Sequence, residues 1–132
     1  MTTYVWRGAV DDRALGELHA EAFEHAYVDI GWSAQLKGHS LGWVTAHDDG
    51  HDDPVGFVNV AWDGGVHAFV LDTMVARAVR GRGIGRGLVA RAASGARHAH
   101  CEWLHVDYEP ELEPFYAACG FEPTPAGLVR LR

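Results

Sequence analysis

The sequence predicts one α/β (α+β) domain over residues 1–132, with a mixed central sheet flanked by helices in the order β-α-α-β-β-β-α-β-α-β. Three observations carry this. Short β-branched and aromatic runs alternate with segments of helical apolar spacing. Asp63-Gly64-Gly65 stands between two such runs as a tight-turn signal, which makes them an antiparallel hairpin. A glycine-rich turn then leads from a strand into a helix, so the strand after that helix returns parallel to the one before it.

The elements follow in order. Thr3 to Gly8 is rich in β-formers and makes a first strand. Asp11 or Asp12 then offers an N-cap. Beyond it Leu15, Leu18, Ala22 and Ala26 recur at helical spacing, with Phe23 beside them, over about four turns. Asp29 to Lys37 adds a short second helix before Gly38. Leu41 to Ala46 is a strand, and the acidic run from His47 to Pro54 is a solvated loop. Val55 to Trp62 and Val66 to Val75 form the hairpin. Ile84 to His98 is a helix, with Ile84, Leu88 and Ala92 on its apolar side beside Val89 and Ala93. Trp103 to Tyr108 is the parallel strand. Pro114 to Cys119 is a short helix that Gly120 can end in a left-handed turn, and Leu128 to Leu131 is a last strand.

Composition excludes several classes. With 48% apolar and 22% charged residues, the chain is globular rather than disordered. Its net charge of −7 disfavours nucleic acid, which needs a basic face. The total hides an asymmetry. Residues 1–66 carry three basic and eleven acidic residues, whereas 67–132 carry eight arginines and seven acids. No stretch approaches the roughly 18–20 apolar residues of a membrane helix. The opening MTTYVWRGAVDD has no basic start followed by an apolar core, so no signal peptide is expected. Cys101 and Cys119 form no disulfide framework and fit reduced thiols in a cytoplasmic protein. The nine histidines show neither HExxH nor zinc-site spacing with cysteine, so no metal is expected.

The chemistry is concentrated between Val75 and Leu88. There a strand runs into Arg80-Gly81-Arg82-Gly83-Ile84-Gly85-Arg86-Gly87 and then into a helix. Glycines let backbone N–H groups converge without Cβ obstruction. The first turn of a helix leaves its N–H groups unpaired and carries partial positive charge. Arg80, Arg82 and Arg86 add full charges suited to phosphate. No Lys stands where a P-loop needs one. A dinucleotide fingerprint is weakly present from Gly85, with Asp107 about twenty residues on. It follows a meander, in a chain too short for the paired halves of that fold.

Arg80-Gly81-Arg82-Gly83-Ile84-Gly85 matches the Arg/Gln-x-x-Gly-x-Gly/Ala signature of the GNAT (GCN-five-related) N-acetyltransferases, and the chain resembles that family over nearly its whole length. Leu71 to Val75 looks like the family's fourth strand, and Phe115-Tyr116-Ala117-Ala118-Cys119-Gly120-Phe121 looks like its FYxxxGF element. The resemblance implies acetyl-CoA as co-substrate and direct transfer of its acetyl group to a primary amine of a small molecule or peptide. Backbone groups of Met74 and Val75 would pair with the pantetheine arm. Backbone N–H groups from Arg80 through Gly81, Arg82, Gly83, Ile84 and Gly85 to Arg86 would hold the pyrophosphate. Tyr116 would protonate the departing thiolate, a task a neutral phenol can perform. One position departs from the family: Glu109 stands seven residues before Tyr116, where many members carry Asn against the cofactor arm.

Attack by an amine also needs a base. Asp72, on the same strand, is the first candidate, His67 the second and Glu109 the third. The acceptor is expected against the acidic N-terminal half, which carries Glu17, Glu21, Glu24 and Asp29 with Tyr27, Trp32, Trp43 and Trp62. That set would suit a cationic amine. The acceptor cleft is open or completed by a second subunit, a homodimer by analogy alone. A CoA-binding module of the same fold without catalysis is the alternative.

Overall fold

Asp11 sets where the first helix begins. A computed structural model describes residues 1–132. In it the Asp11 carboxylate accepts from the Ala14 N–H at 2.9 Å, and α1 runs from Asp12 to Phe23. Its neighbour Asp12 accepts from the Ser33 N–H at 2.8 Å, which caps the second helix, α2 (Trp32–His39). One Asp-Asp pair thus starts two helices and fixes one against the other. α1 is shorter than its apolar spacing suggests. Glu24 turns left-handed at φ 56°, and the His25 N–H closes on the Ala20 carbonyl, so Ala26 falls outside.

The sheet has five strands in the order β1-β2-β3-β4-β5. They are β1 (Thr2–Trp6), β2 (Ser40–Asp48), β3 (Gly56–Trp62), β4 (His67–Val75) and β5 (Trp103–His105). The first four form an antiparallel meander, and β5 joins β4 in parallel. At the hairpin tip Asp63 Oδ1 accepts from the N–H groups of Gly65 and His67. These bonds hold the Asp63 carboxyl below its ordinary range, because they favour the charged form. Between β4 and β5 runs α3 (Ile84–His98), with the bounds its glycine signals predict.

Period-two alternation sorts β3 onto two cores. Val58 and Val60 face α3, where they pack with Val44, Val70, Ile84, Leu88 and Ala92. Phe57 faces α1 and α2, and is buried with Leu15, Leu18, Trp32, Leu36, Trp43 and Met74. Trp32 and Trp43 are therefore core residues. α4 (Glu113–Ala118) is the last regular element of the chain, and Gly120 follows it at φ 98°. No helix is long and apolar enough to cross a membrane.

Two expected strands change. The sheet ends at β5, because residues 128–131 form no strand and Leu128, Val129 and Leu131 are exposed. Pro123 and Pro125 lead into that segment without N–H donors, and β5 contributes only three residues to the ladder. β5 also stops at His105 rather than Tyr108. Carrying its register onward would set Tyr108 beside Asp72, where β4 is distorted.

Candidate active site

The distortion is a β-bulge. Phe57 pairs with Met74 while Asn59 pairs with Leu71, so Asp72 and Thr73 together oppose Val58. Asp72 takes up the extra residue at φ 56°, a left-handed conformation uncommon for a residue with a Cβ. β4 and β5 are paired only from His67 to Phe69 on the β4 side. Beyond it the edge of β4 has no strand partner.

The glycine-rich loop lies between the end of β4 and the start of α3. Gly81 and Gly83 have φ near +80°, at 83° and 82°, and nothing lies within 4 Å of where their Cβ atoms would be. Gly83 is the residue before α3. No backbone N–H from Gly81 to Arg86 meets a carbonyl of the chain; the first one engaged is Gly87, on Gly83. Six consecutive N–H groups at a helix N-terminus can donate to phosphate oxygens. The arginines divide their work. Arg82 is drawn to Asp48 at 3.4 Å, whereas Arg80 donates to the Val75 carbonyl at 3.1 Å and so ties the loop to the end of β4. Arg86 is exposed and makes no ion pair. Met74 turns its side chain into the α1–α2 core, while Val75 and Phe115 pack near Gly85. Ile84 is a core residue.

Tyr116 reaches the bulge from α4. It is buried, with Tyr108 stacked on it at 5.0 Å and Phe115 and Phe121 meeting it edge-on. Its hydroxyl donates to Thr73 Oγ1 at 3.5 Å. Burial pushes the phenol above its ordinary pKa of about 10, against the smaller opposite effect of the Thr73 bond. Tyr116 therefore stays protonated at neutral pH, as a proton donor must.

On the other side of the sheet Asp72 Oδ1 lies 3.4 Å from Nε2 of His19 on α1. Sequence reasoning missed His19. The signal for it is its place four residues after Leu15 on the inward stripe of α1. His19 and His25 line a hollow of about 240 Å³ with Gly16, Val28, Ile30 and Trp32. The Trp32 Nε1–H is buried without a partner. A larger hollow of about 530 Å³, near Trp6 and Arg91, is on the α3 side and away from this chemistry.

The remaining candidates lie elsewhere. His67 sits at the hairpin end of β4, paired with His105 at 2.8 Å. Glu109 is exposed ahead of a short turn at Pro110–Leu112. Much of the acidic excess is already engaged. Arg13 holds Glu17 at 2.9 Å, Glu21 accepts from the Arg77 N–H, and Glu24 meets the Arg77 guanidinium at 3.6 Å. No group of three or more His, Cys, Asp and Glu is arranged to hold a metal ion.

A five-stranded mixed sheet with a bulged fourth strand, a glycine loop before α3 and a tyrosine on the last helix defines an acyltransferase fold. Residues 38–123, more than half of the chain, match the family model described as an acetyltransferase (GNAT) domain. The chain belongs to the GNAT acetyltransferase family. It is 43% identical over 58 residues to a rice (Oryza sativa subsp. japonica) protein named probable glucosamine 6-phosphate N-acetyltransferase 2, covering 44% of this chain and 35% of that protein. The chain thus spans about a third of the length of the curated relatives it matches. An acetyltransferase of Trypanosoma brucei superposes with a TM-score of 0.83 at 17% identity, over 100% of this chain and 99% of the other. Glucosamine-6-phosphate N-acetyltransferase of Arabidopsis thaliana does so at 0.79 and 14% identity, over 97% of each chain. At these identities the likeness is one of fold.

Proposed function

We propose that this chain is an N-acetyltransferase that moves the acetyl group of acetyl-CoA directly to a primary amine of a small molecule or peptide. The observation that carries the reading is the run of six unengaged N–H groups from Gly81 to Arg86, soon after the strand whose bulge the Tyr116 hydroxyl meets. The loop suits a pyrophosphate, with Arg80 and Arg86 adding charge. The open edge of β4 at Met74 and Val75 suits the amide groups of a pantetheine arm. A thioester held in this way would lie beside the bulge.

The reaction joins the amine nitrogen to the thioester carbonyl carbon and breaks the C–S bond. Tyr116 gives its phenolic proton to the leaving sulfur and regains one from the nitrogen. Asp72, across the bulge, is the carboxylate that meets the incoming amine. Both cysteines are free, which fits a reducing compartment such as the cytoplasm.

The test is release of free thiol from acetyl-CoA across a panel of amines, with glucosamine 6-phosphate included because the relatives are named for it. Calorimetry with CoA accompanies it. Amine-dependent thiol release supports the reading. Tight CoA binding with no transfer to any amine favours a catalytically silent CoA-binding module.

A further inference from the structure

The hollow beside Asp72 contains a hydrogen-bond chain that assigns its own protons. It runs from the Ala26 carbonyl to His25 Nδ1 at 2.6 Å, then from His25 Nε2 to His19 Nδ1 at 2.6 Å. It ends at His19 Nε2, 3.4 Å from Asp72 Oδ1. A backbone carbonyl can only accept, so His25 Nδ1 carries a hydrogen. In a neutral His25 the other nitrogen is then an acceptor, and His19 must donate to it from Nδ1. That leaves His19 Nε2 without a hydrogen, 3.4 Å from a carboxylate oxygen.

A bare nitrogen facing a carboxylate oxygen is a poor contact until a proton arrives. Protonation turns it into a charge-assisted N–H···O bond. We propose that His19 Nε2 takes the proton from the acceptor's ammonium group, with Asp72 as its counter-ion and His25 as the residue that holds the ring in the required tautomer. The inference rests on the acetyltransferase reading and refines the role of Asp72. The carboxylate attracts the ammonium, and the neighbouring imidazole deprotonates it.

The surroundings agree. Both side chains are partly exposed, His19 at 25% and Asp72 at 30%, so neither is sealed from an incoming amine, and His19 lines the hollow. Asp72 faces the ring from β4, His25 faces it from the loop after α1, and the neighbouring rings of Trp32 and Phe23 are uncharged. Glu21 and Glu24, at the end of α1, are taken by Arg77. Thr73, next to Asp72, meets Tyr116. The proton acceptor and the proton donor are thus attached to consecutive residues of one bulge.

Protons balance. The ammonium loses one to His19, which later releases it to water. The neutral amine attacks, its second proton passes by way of Tyr116 to the sulfur, and the products are the amide and the free thiol of CoA.

The first test needs no acceptor. Long-range nitrogen–proton correlation spectra of the labelled full chain, assigned through the backbone, should show His19 and His25 both as Nδ1–H tautomers at neutral pH. A His19 ring found as the Nε2–H tautomer, donating to Asp72, overturns the proposal and leaves the acetyltransferase reading intact. Failure of the chain to bind CoA in calorimetry removes both.

The second test uses acetyl-CoA and glucosamine 6-phosphate. His19→Gln should lower turnover about 100-fold at neutral pH with CoA affinity kept, and the loss should shrink as pH rises and more amine arrives unprotonated. A merely structural role would lower turnover equally at every pH. If His19→Gln does not fold, Asp72→Asn serves. Without the carboxylate the ammonium is no longer drawn to His19, so KM for the amine should rise about 10-fold with CoA affinity kept. An unchanged KM for the amine counts against the proposal.

Discussion

Tyr116 Oη and Thr73 Oγ1 lie 3.5 Å apart, a long hydrogen bond that ties α4 to the bulge in β4. The contact joins residues 43 positions apart in the chain, yet it depends on a local irregularity in one strand. A bulge sets two residues against one on the partner strand, which re-aims their side chains and increases the local twist. Here the two residues are Asp72 and Thr73, and a different helix meets each.

Replacing Tyr116 with Phe removes the proposed proton donor and leaves the packing against Tyr108, Phe115 and Phe121. Acetyl transfer should fall about 100-fold, the low end for loss of an acid, because a thiolate is a good leaving group. CoA affinity by calorimetry should stay within about twofold, and the melting temperature should hardly change, because a bond this long contributes little. Equal loss of turnover and CoA affinity would assign Tyr116 to binding rather than proton donation.

The buried phenol also sets a pH dependence. Its pKa is raised, chiefly by desolvation. The folded protein therefore holds this proton more tightly than the unfolded chain does. The associated stability is fully present below the ordinary phenol value of about 10 and is lost as pH rises through the folded value. Denaturant unfolding at neutral pH and at about pH 11 should show a loss that is smaller in Tyr116→Phe. An identical loss in both proteins would mean that Tyr116 ionises as freely as an exposed tyrosine.

What could be read from the sequence follows the range of the interactions involved. α3 has its expected bounds because Gly83 and the apolar spacing from Ile84 are local signals. The hairpin was legible because Asp63 caps its own turn. The length of β5 was not, since it depends on a bulge in β4, whose pairing with β3 no local pattern marks. Arg77 gathers Glu21 and Glu24 from more than fifty residues away, and so removes charges that looked available to an acceptor. The pairing of His19 with Asp72 is of the same kind. His19 stands on the inward stripe of α1, but its partner is fixed only when α1 packs on β4.

Gly83 exposes the proposed phosphate loop to a backbone effect. Its φ of 82° is left-handed, and an added methyl group would meet open space. Gly83→Ala should therefore cost about 1–2 kcal/mol from the backbone alone. If the loop relaxes to escape that strain, the N–H groups from Gly81 to Arg86 diverge and CoA affinity falls by more than stability does. Thermal unfolding and CoA calorimetry on the same variant separate the two effects. Wild-type affinity would mean that the N–H groups hold their arrangement without this conformation.

Trp6 gives the last prediction. Its indole fills the space between Gly42 on β2 and Gly95 on α3, and a Cβ at either glycine would come within contact distance of the ring. On helix propensity alone, Gly95→Ala should stabilise α3 by about 1 kcal/mol. Packing opposes this, since forcing a methyl group into a ring already in contact typically costs about 1–3 kcal/mol. Gly42 lies against the ring as well, so the indole must leave both glycines and turn toward the hollow beside Arg91 to escape the methyl group. Gly95→Ala should therefore be destabilising on balance, by about 1 kcal/mol in denaturant unfolding. In a Trp6→Ala background the clash is gone and the helix gain remains, so the same substitution should become stabilising. A double-mutant cycle reads that change of sign directly. If Gly95→Ala has the same effect with and without the indole, Trp6 is free to move and β1 is not held to α3 by this contact.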